Sequence, residues 1–454
     1  MVRPFRLSED DEEDELSSID KVLPYDCLHT IFEFLPFEDL QVFRRTCRSN
    51  NKSINEYFNR EDKIKMLNVK MIQGGVMFGS NRERLESHFA ILNMYTNNID
   101  AWKIIGARFE NVKKIVFNKK SAPKTRITPK HGIVLNSILQ QVKFVEFKRY
   151  AFTDEHGQHT IIHCQKLKHL VIGTKIFKKN DKFSHDWMEK NYSTLEEIQF
   201  DFGFPELVLY DEQGEKIRNF FINNPGIKHL TILINIEHSL NFIRHNNIRF
   251  EKLTLRLKTN VEDVIGLLND LQISGQIQHY GLILQDRQIL DTNSQSIDKL
   301  NGLESVYMKQ CSYDWTDNYP AFFNQLKVLH IADISPEGAK LLALNVVCLE
   351  EIYIERGSMK IINTFVRHAA KLRKIGCHEV AGSIDEFSWI SSIRGRAALA
   401  EPSQLYIYVP ESAYIPIKWK EMPSTLNLTE AFSRFYLGMI KIKRLESLMP
   451  YRPY

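Results

Sequence analysis

Residues 349–354 read LEEIYI, and the same six-residue phrase lies on either side of them, as LKVLHI at 326–331 and LRKIGC at 372–377. Apolar residues occupy its first, fourth and sixth places, and its start recurs here every 23 residues. Alternation with a period of two is typical of a strand with one buried face, so the fourth and sixth residues are predicted to point inward. A phrase that recurs at a fixed step indicates a repeat architecture.

The phrase occurs twelve times, and the step between starts ranges from 23 to 32 residues. Its first residues are Val112, Val142, Leu167, Leu195, Ile227, Phe250, Ile277, Leu303, Leu326, Leu349, Leu372 and Pro402. The intervening segments, such as EGAKLLALNVV at 337–347, have the periodicity of helices. A doubly wound α/β domain is the alternative for any such series, but twelve units exceed what one doubly wound sheet needs.

The phrase resembles the L-x-x-L-x-L strand of a leucine-rich repeat, and Cys311 stands where such repeats carry Asn or Cys. The resemblance implies a solenoid over residues 109–410 with a parallel sheet on its concave side. The predicted fold class is therefore α/β, with all-α helices followed by an irregular leucine-rich-repeat solenoid. Residues 411–454 are predicted to cap it, through an amphipathic helix at 429–448.

The stretch 23–47, LPYDCLHTIFEFLPFEDLQVFRRTC, predicts two short amphipathic helices. Leu28, Ile31 and Leu35 follow at steps of three and four, which gives one apolar stripe. Pro36 ends that helix, because a proline disfavours helical backbone at the preceding residue. Two helices of this length cannot bury both stripes against each other, so part of the apolar surface is expected to contact a partner.

This stretch resembles the F-box, although an ordinary helical hairpin buried in its own domain is the alternative. The predicted F-box spans residues 21–59. The resemblance implies binding to the Skp-type adaptor of a cullin-based ubiquitin ligase. The implied contact residues are Leu23, Pro24, Leu28, Ile31, Leu35, Pro36 and Leu40.

Two further segments flank the predicted F-box. Residues 1–20 include the acidic block SEDDEEDE and are predicted to form a disordered tail, because such charges repel one another and bury nothing. Residues 60–108 are predicted to be a helical connector, with Leu85, Phe89, Leu92 and Met94 on one side.

The composition narrows the classes of function. Sixty basic and 56 acidic residues leave a net charge of +4, which does not require nucleic acid or a membrane as partner. The sequence lacks an apolar run of membrane-spanning length and a secretory signal, so a cytoplasmic or nuclear protein is expected. The cluster DEHGQHTIIHC at 154–164 does not complete a metal site, and no catalytic motif is present. We therefore expect neither a cofactor nor enzymatic activity.

The third, fifth and seventh places of each phrase are predicted to face a ligand. They carry aromatic residues together with charges of both signs, which is typical of protein interfaces and unlike a duplex-binding surface. The predicted substrate anchors are Tyr307, Tyr353, Tyr406 and Tyr408. The sequence thus predicts the substrate-recognition adaptor of an SCF ubiquitin ligase. A repeat scaffold without a ligase role is the alternative, and a nucleic-acid-binding solenoid is a more distant one.

Overall fold

The fold is taken from a computed structural model of the chain. It describes residues 31–32, 42–43, 46, 65–72, 75–78, 89–94, 103, 112–118, 129–148, 161–172, 186–200, 212–233, 236–257, 261–284, 297, 300–312, 325–382, 392, 395–399, 402–421 and 440–444.

The described strands form one 16-stranded sheet, and from β3 to β16 the strands follow one another in chain order. The strands are β1 Lys65–Ile72, β2 Gly75–Phe78, β3 Phe89–Met94, β4 Lys114–Asn118, β5 Phe144–Lys148, β6 His169–Ile172, β7 Glu197–Phe200, β8 His229–Ile232, β9 Phe250–Leu257, β10 Ile277–Leu284, β11 Leu303–Ser312, β12 Val328–Asp333, β13 Glu351–Ser358, β14 Lys374–Ala381, β15 Leu405–Val409 and β16 Ile440–Arg444. Neighbours are parallel throughout, except that β2 pairs antiparallel with β1 at the end of the sheet.

The twelve phrases form β4 to β15, one strand each. The prediction of a parallel sheet is confirmed, and the strand order separates it from the doubly wound alternative, in which the order reverses at a switch point. The architecture is α/β and solenoid-like, because each described repeat strand lies between its neighbours in sequence.

The helices join the strands on one face of the sheet. They are α1 Pro129–Val134, α2 Asn136–Leu139, α3 Asp186–Glu189, α4 Glu212–Asn223, α5 Ile236–His245, α6 Val261–Ile273, α7 Pro336–Asn345, α8 Met359–His368 and α9 Glu411–Glu421. Leu240 of α5 and Leu268 of α6 belong to the same buried cluster as Leu253 and Leu255 of β9. The core therefore lies between the helices and the fourth and sixth residues of the phrases. No helix among the described residues is long and apolar enough to span a membrane.

Local sequence explains where a strand ends and the following helix begins. Ile352 and Ile354, at the fourth and sixth places, are fully buried in the sheet. Ser358 ends β13 and caps α8, since its hydroxyl accepts a hydrogen bond from the Ile361 amide. Ser335 caps α7 in the same way, followed by Pro336 in the first turn, where a missing amide proton costs nothing.

Buried polar side chains tie neighbouring units together. Arg396 is fully buried, and its guanidinium donates to the backbone carbonyl oxygens of residues 366, 369, 370, 372 and 403. Burial lowers the pKa of Arg396 to about 10, so it stays charged at neutral pH. Asn224 is also buried. It accepts a hydrogen bond from the Tyr192 amide and donates to the Phe220 and Lys190 carbonyls.

The register between strands shifts at one junction in the middle of the sheet. Tyr280 of β10 lies opposite Leu303 of β11, but Gly281 lies opposite Ser305. Gly302, just before β11, has a φ of +78°, and a Cβ there would lie 2.8 Å from the Gln278 carbonyl oxygen. Only glycine accommodates this close backbone approach. At this junction the third place of the β11 phrase stands beside the fifth place of the β10 phrase, and from β11 to β14 third places again stand beside third places.

Two predicted helical segments are wrong where the structure describes them. Within the predicted connector 60–108, the described residues 65–72, 75–78 and 89–94 form the strands β1, β2 and β3, and residue 103 is helical. Short apolar runs such as FAILNM at 89–94 do not separate helix from strand by periodicity, and pairing with the β4 edge decides the outcome.

The predicted helix at 429–448 contains a strand at its centre. Residues 440–444 read IKIKR and pair in parallel with β15, Ile442 lying opposite Ile407. Period-two alternation is present within these five residues, but it is hidden among neighbours that also fit a helical stripe. The tail 1–20 and residues 429–439 lie outside the described residues.

Candidate functional site

The described part of the predicted F-box separates a buried side chain from exposed ones. Phe32 is 1% exposed and packs edge-to-face on Phe43, with ring centroids 5.8 Å apart. Ile31 and Val42 are 39% and 64% exposed. The Thr46 hydroxyl donates to the Phe43 carbonyl at 2.6 Å and closes the turn that follows. Two phenylalanines thus pack together here, while two aliphatic side chains face outward.

Among the predicted adaptor contacts, Ile31 lies within the described residues, and it is exposed. The remaining predicted contacts lie outside the described residues: Leu23, Pro24, Leu28, Leu35, Pro36 and Leu40. Val42 was not among the predicted contacts. Its signal in the sequence is weak, because it falls between the stripe residues Leu40 and Phe43.

The side of the sheet opposite the helices carries the alternate side chains of every strand, and we call it the open face. At its first strands, charges are matched within the chain. Lys114 lies 3.5 Å from the Glu146 carboxylate, with side chains 11% and 5% exposed, and its ammonium sits 3.9 Å from the centre of the Phe144 ring. Phe144 stacks on His169, whose Nδ1 lies 2.8 Å from Glu197.

The middle of the open face is narrow. Gly281 lies between Thr254 and Ser305 on the neighbouring strands. A Cβ at Gly281 would lie 2.6 Å from the Ser305 hydroxyl and 2.7 Å from the Thr254 hydroxyl, closer than such contacts allow. A small second apolar cluster lies beside it, formed by Leu233, Ile283 and Tyr307. The side chains in this part of the face therefore pack closely together and leave little space for a larger residue at Gly281.

Aromatic rings then line up across β11 to β15. We call Tyr307, His330, Tyr353 and Tyr408 the aromatic row, with Gly376 at its position on β14. The ring centroids of Tyr307 and His330 lie 4.4 Å apart, and those of His330 and Tyr353 lie 4.2 Å apart. Such spacing is that of stacked rings. The strand register therefore places three of the predicted tyrosines in one row, with Tyr406 in the row beside it.

The four tyrosines differ in exposure. Tyr353 and Tyr406 are half-buried, whereas Tyr307 and Tyr408 are each 9% exposed. The predicted inward and outward directions of the strands are correct, since Ile352 and Ile354 on either side of Tyr353 are buried. Tyr307 and Tyr408, which were predicted to face a ligand, are largely buried. Both lie within the open face, where Tyr307 contacts the His330 ring and belongs to the small apolar cluster with Leu233 and Ile283.

Glu351 occupies the middle of the later strands and is fully engaged. The Tyr353 hydroxyl donates to one carboxylate oxygen at 2.7 Å, and the Lys374 ammonium donates to the other at 2.6 Å. Burial, followed by the neighbouring Glu351 charge, raises the pKa of Tyr353, so its hydroxyl keeps its proton. Burial also lowers the pKa of Lys252, although the carboxylates of Glu304 and Glu197 oppose that shift.

The last strand ends the open face with two lysines. The Lys441 and Lys443 ammonium groups lie 5.8 Å and 5.0 Å from the centre of the Tyr406 ring. The Tyr406 hydroxyl donates to the Gln404 side-chain oxygen at 2.7 Å. We call Tyr406, Lys441 and Lys443 the lysine–tyrosine patch. Sequence reasoning missed both lysines because it placed residues 440–444 on a helix; the Ile-Lys-Ile-Lys alternation was the available signal.

Within the described part of the chain, no three His, Cys, Asp or Glu side chains come together as a metal site would require. Cys164 illustrates why. It is completely buried, and burial raises the pKa of its thiol to about 12, so a thiolate ligand is disfavoured.

Comparison with known proteins identifies one domain. Residues 22–57 match the F-box domain family, which supports an F-box protein. No curated protein matches the chain.

Among solved structures, a chain of the glycosylated Toll–Spatzle complex of Drosophila is similar over 70% of this chain at 11% identity, with a TM-score of 0.23. This chain spans about half of that chain, covering 51% of its length. At that TM-score the similarity carries no argument about fold or function.

Proposed function

We propose that this chain is the substrate-recognition subunit of an SCF-type ubiquitin ligase. The F-box would bind a Skp-type adaptor and, through it, a cullin, and the repeats would bind a substrate protein. The observation that carries the proposal is the F-box match at residues 22–57, joined in one chain to a long parallel repeat sheet. The chain itself would catalyse nothing; it would raise the effective concentration of substrate lysines near the conjugating enzyme.

The exposed aliphatic residues of the F-box support the adaptor interface. Phe32 is buried against Phe43, whereas Ile31 and Val42 lie on the surface. Apolar anchors of this kind carry most of the energy of a protein interface when a partner buries them. The substrate side is supported by the repeats, which we interpret as leucine-rich repeats because their phrases form consecutive parallel strands with helices on one face.

The adaptor interface can be tested with three variants of the full chain. Leu23→Ala with Pro24→Ala is expected to abolish adaptor capture, and Ile31→Ala is expected to weaken it about tenfold, because both remove apolar anchors. Ile273→Ala is the matched control, since Ile273 is 86% exposed on α6, outside the F-box. Capture is measured by co-purification of adaptor and cullin and by calorimetry with the adaptor. Retention of adaptor by the double variant would refute the F-box function and leave a scaffold without a ligase role.

The substrate side needs a separate test. Tyr353→Ala with Tyr406→Ala should reduce substrate recovery and slow substrate turnover while adaptor binding is unchanged. Both tyrosines are half-buried, so a modest fall in melting temperature is expected as well. The variants Tyr353→Phe and Tyr406→Phe keep the rings and remove the hydroxyls. If the Phe variant binds as the wild type and the Ala variant does not, ring contact is the determinant.

A further inference from the structure

Several charged groups of the open face are paired within the chain. Lys114 faces Glu146, His169 faces Glu197 and Lys374 faces Glu351. Glu304 in the middle of the face accepts from Lys327 and lies 3.3 Å from His279. A charged ligand that bound to these strands would have to break the existing ion pairs, which would cost free energy.

The lysine–tyrosine patch differs. Within the described part of the chain, no carboxylate lies within 4.0 Å of the Lys441 or Lys443 ammonium; their recorded neighbour is the Tyr406 ring. A cation–π contact at an exposed site contributes only about 0.5–1 kcal/mol and leaves the ammonium charge in place. The ring therefore positions two cations side by side without neutralising them.

The surroundings limit what this patch can bind. Lys374 lies directly opposite Tyr406 on β14, and its partner Glu351 lies one strand further on. A long polyanion that followed the face from β16 would soon meet the Glu351 carboxylate, and beyond it Glu304 and Glu197. Like charges at that distance oppose binding. The arrangement suits a short anionic segment confined to the last strands.

We propose that the lysine–tyrosine patch binds an acidic segment of the substrate protein, with its carboxylates on Lys441 and Lys443 and an apolar or aromatic neighbour against Tyr406. This inference rests on the proposed function and specifies the class of substrate. Lys441 is exposed and Lys443 half-buried, so both can be reached. The chemistry is shared by clustered Asp and Glu residues and by phosphorylated Ser or Thr, which carries about −1.5 to −2 charges.

Edge protection is the competing explanation of the same lysines. β16 is the last strand of the described sheet, and lysines on such a strand hinder pairing with another sheet. This explanation requires that loss of the lysines cause self-association, whereas the binding proposal requires that it cause loss of an anionic ligand. The two therefore predict different results for the same variant.

The test uses the full chain and fluorescein-labelled peptides that alternate Glu, phosphoserine or Lys with Gly. Fluorescence anisotropy is measured at about 50 and about 300 mM salt, because an ionic contact at the surface weakens with screening. The Glu and phosphoserine peptides are expected to bind, and the Lys peptide is expected not to bind. If the phosphoserine peptide binds more tightly than its added charge explains, the natural ligand is a phosphorylated segment. If the two peptides bind with similar affinity, the natural ligand is a segment rich in Asp and Glu.

Three variants make the test specific. Lys441→Gln with Lys443→Gln is expected to weaken the Glu peptide by about tenfold, the loss of roughly two surface charge contacts. Lys441→Arg with Lys443→Arg should stay near the wild type. Lys168→Gln with Lys228→Gln is the matched control, because it changes net charge equally but removes exposed lysines already paired with Glu196 and Glu251.

Equal binding of the Glu and Lys peptides by the wild type, or unchanged binding by the Lys441→Gln, Lys443→Gln variant, would overturn the proposal. Self-association of that variant with unchanged peptide binding would assign the lysines to edge protection. Adaptor capture is measured on the same samples. Its loss in the Leu23→Ala, Pro24→Ala variant without loss of peptide binding distinguishes failure of the F-box function from failure of this proposal.

Discussion

Strands β4 to β7 and the last two described strands, β15 and β16, differ in how the charged side chains of the open face are matched. At β4 to β7, Lys114, Glu146 and Glu197 are buried or nearly so and face partners from neighbouring strands. At the other end, the ammonium groups of Lys441 and Lys443 on β16 lie near the half-buried ring of Tyr406 on β15. A charge that is matched inside the chain holds strands together, while one that is left unmatched remains available to a ligand. The same face thus carries matched charges at one end and two lysines beside an aromatic ring at the other.

Replacing Arg396 is expected to have the largest effect on stability. Arg396→Met removes hydrogen bonds to several buried carbonyl oxygens, and we expect it to lower the free energy of unfolding by about 4 kcal/mol. In a repeat array each unit contacts its neighbours, so β14 to β16 should lose hydrogen-exchange protection before β5 to β9. Arg396→Lys, which keeps the charge but loses the planar fork, should be intermediate. Uniform loss of protection along the sheet would contradict a local role.

The Lys114–Glu146 pair tests whether the first strands depend on matched charge. Lys114→Ala removes the cation that faces a carboxylate 5% exposed, at an expected cost of about 3 kcal/mol. Lys441→Ala should change stability by less than about 0.5 kcal/mol. Urea unfolding followed by fluorescence measures both. Lys114→Met with Glu146→Leu should recover most of the loss, and equal costs for the two single alanine variants would remove the proposed difference between the ends.

Glu351→Gln should extend the unmatched region by one lysine. Lys374 would lose its carboxylate partner, while the Tyr353 hydroxyl could still donate to the amide oxygen. We expect the alternating Glu peptide to bind roughly three- to fivefold tighter at low salt, the range of an exposed charge interaction of up to about 1 kcal/mol. Glu237→Gln, on α5 away from the open face, controls for net charge. Unchanged affinity would show that Lys374 does not contribute to the patch.

The smallest expected effect is a pH dependence of stability that comes from His229 on β8. Burial lowers the pKa of His229, although the Glu197 charge partly opposes this shift. The unfolded chain therefore binds this proton more readily, and stability is lost as the pH falls below about 6.5. His229→Gln should show a slightly smaller fall in melting temperature between pH 7.5 and 5.5 than the wild type. An equal or larger fall in the variant would contradict the burial of a neutral imidazole.

Much of the sheet could be predicted from sequence, because a phrase repeated with period-two alternation identifies its own buried face. Ile352 and Ile354 show this, as do their neighbours Leu329 and Ile331. The strands outside the array could not be predicted in the same way. FAILNM at β3 and IKIKR at β16 are each too short to separate helix from strand, and pairing with an adjacent edge decides their structure.

The candidate site was predictable in direction but not in exposure. Alternation placed Tyr307 and Tyr408 on the open face, yet both are 9% exposed, because exposure depends on neighbouring strands that are far apart in sequence. His330 stacks against Tyr307 across 23 residues of chain. Lys441 and Lys443 were missed because residues 440–444 were predicted to be helical, which hid their proximity to Tyr406, more than thirty residues earlier.

The register shift between β10 and β11 limits how the repeats could be exchanged. On the β10 side Gly281 is the fifth residue of its phrase, but the residue beside it on β11, Ser305, is the third of its own. A chimera that moved one unit across this junction would keep every buried leucine in place and still bring the wrong open-face side chains together. Units could be swapped within β4 to β10 or within β11 to β14, but an exchange that ignored the boundary would keep the buried side chains in place and scramble the side-chain pattern of the open face.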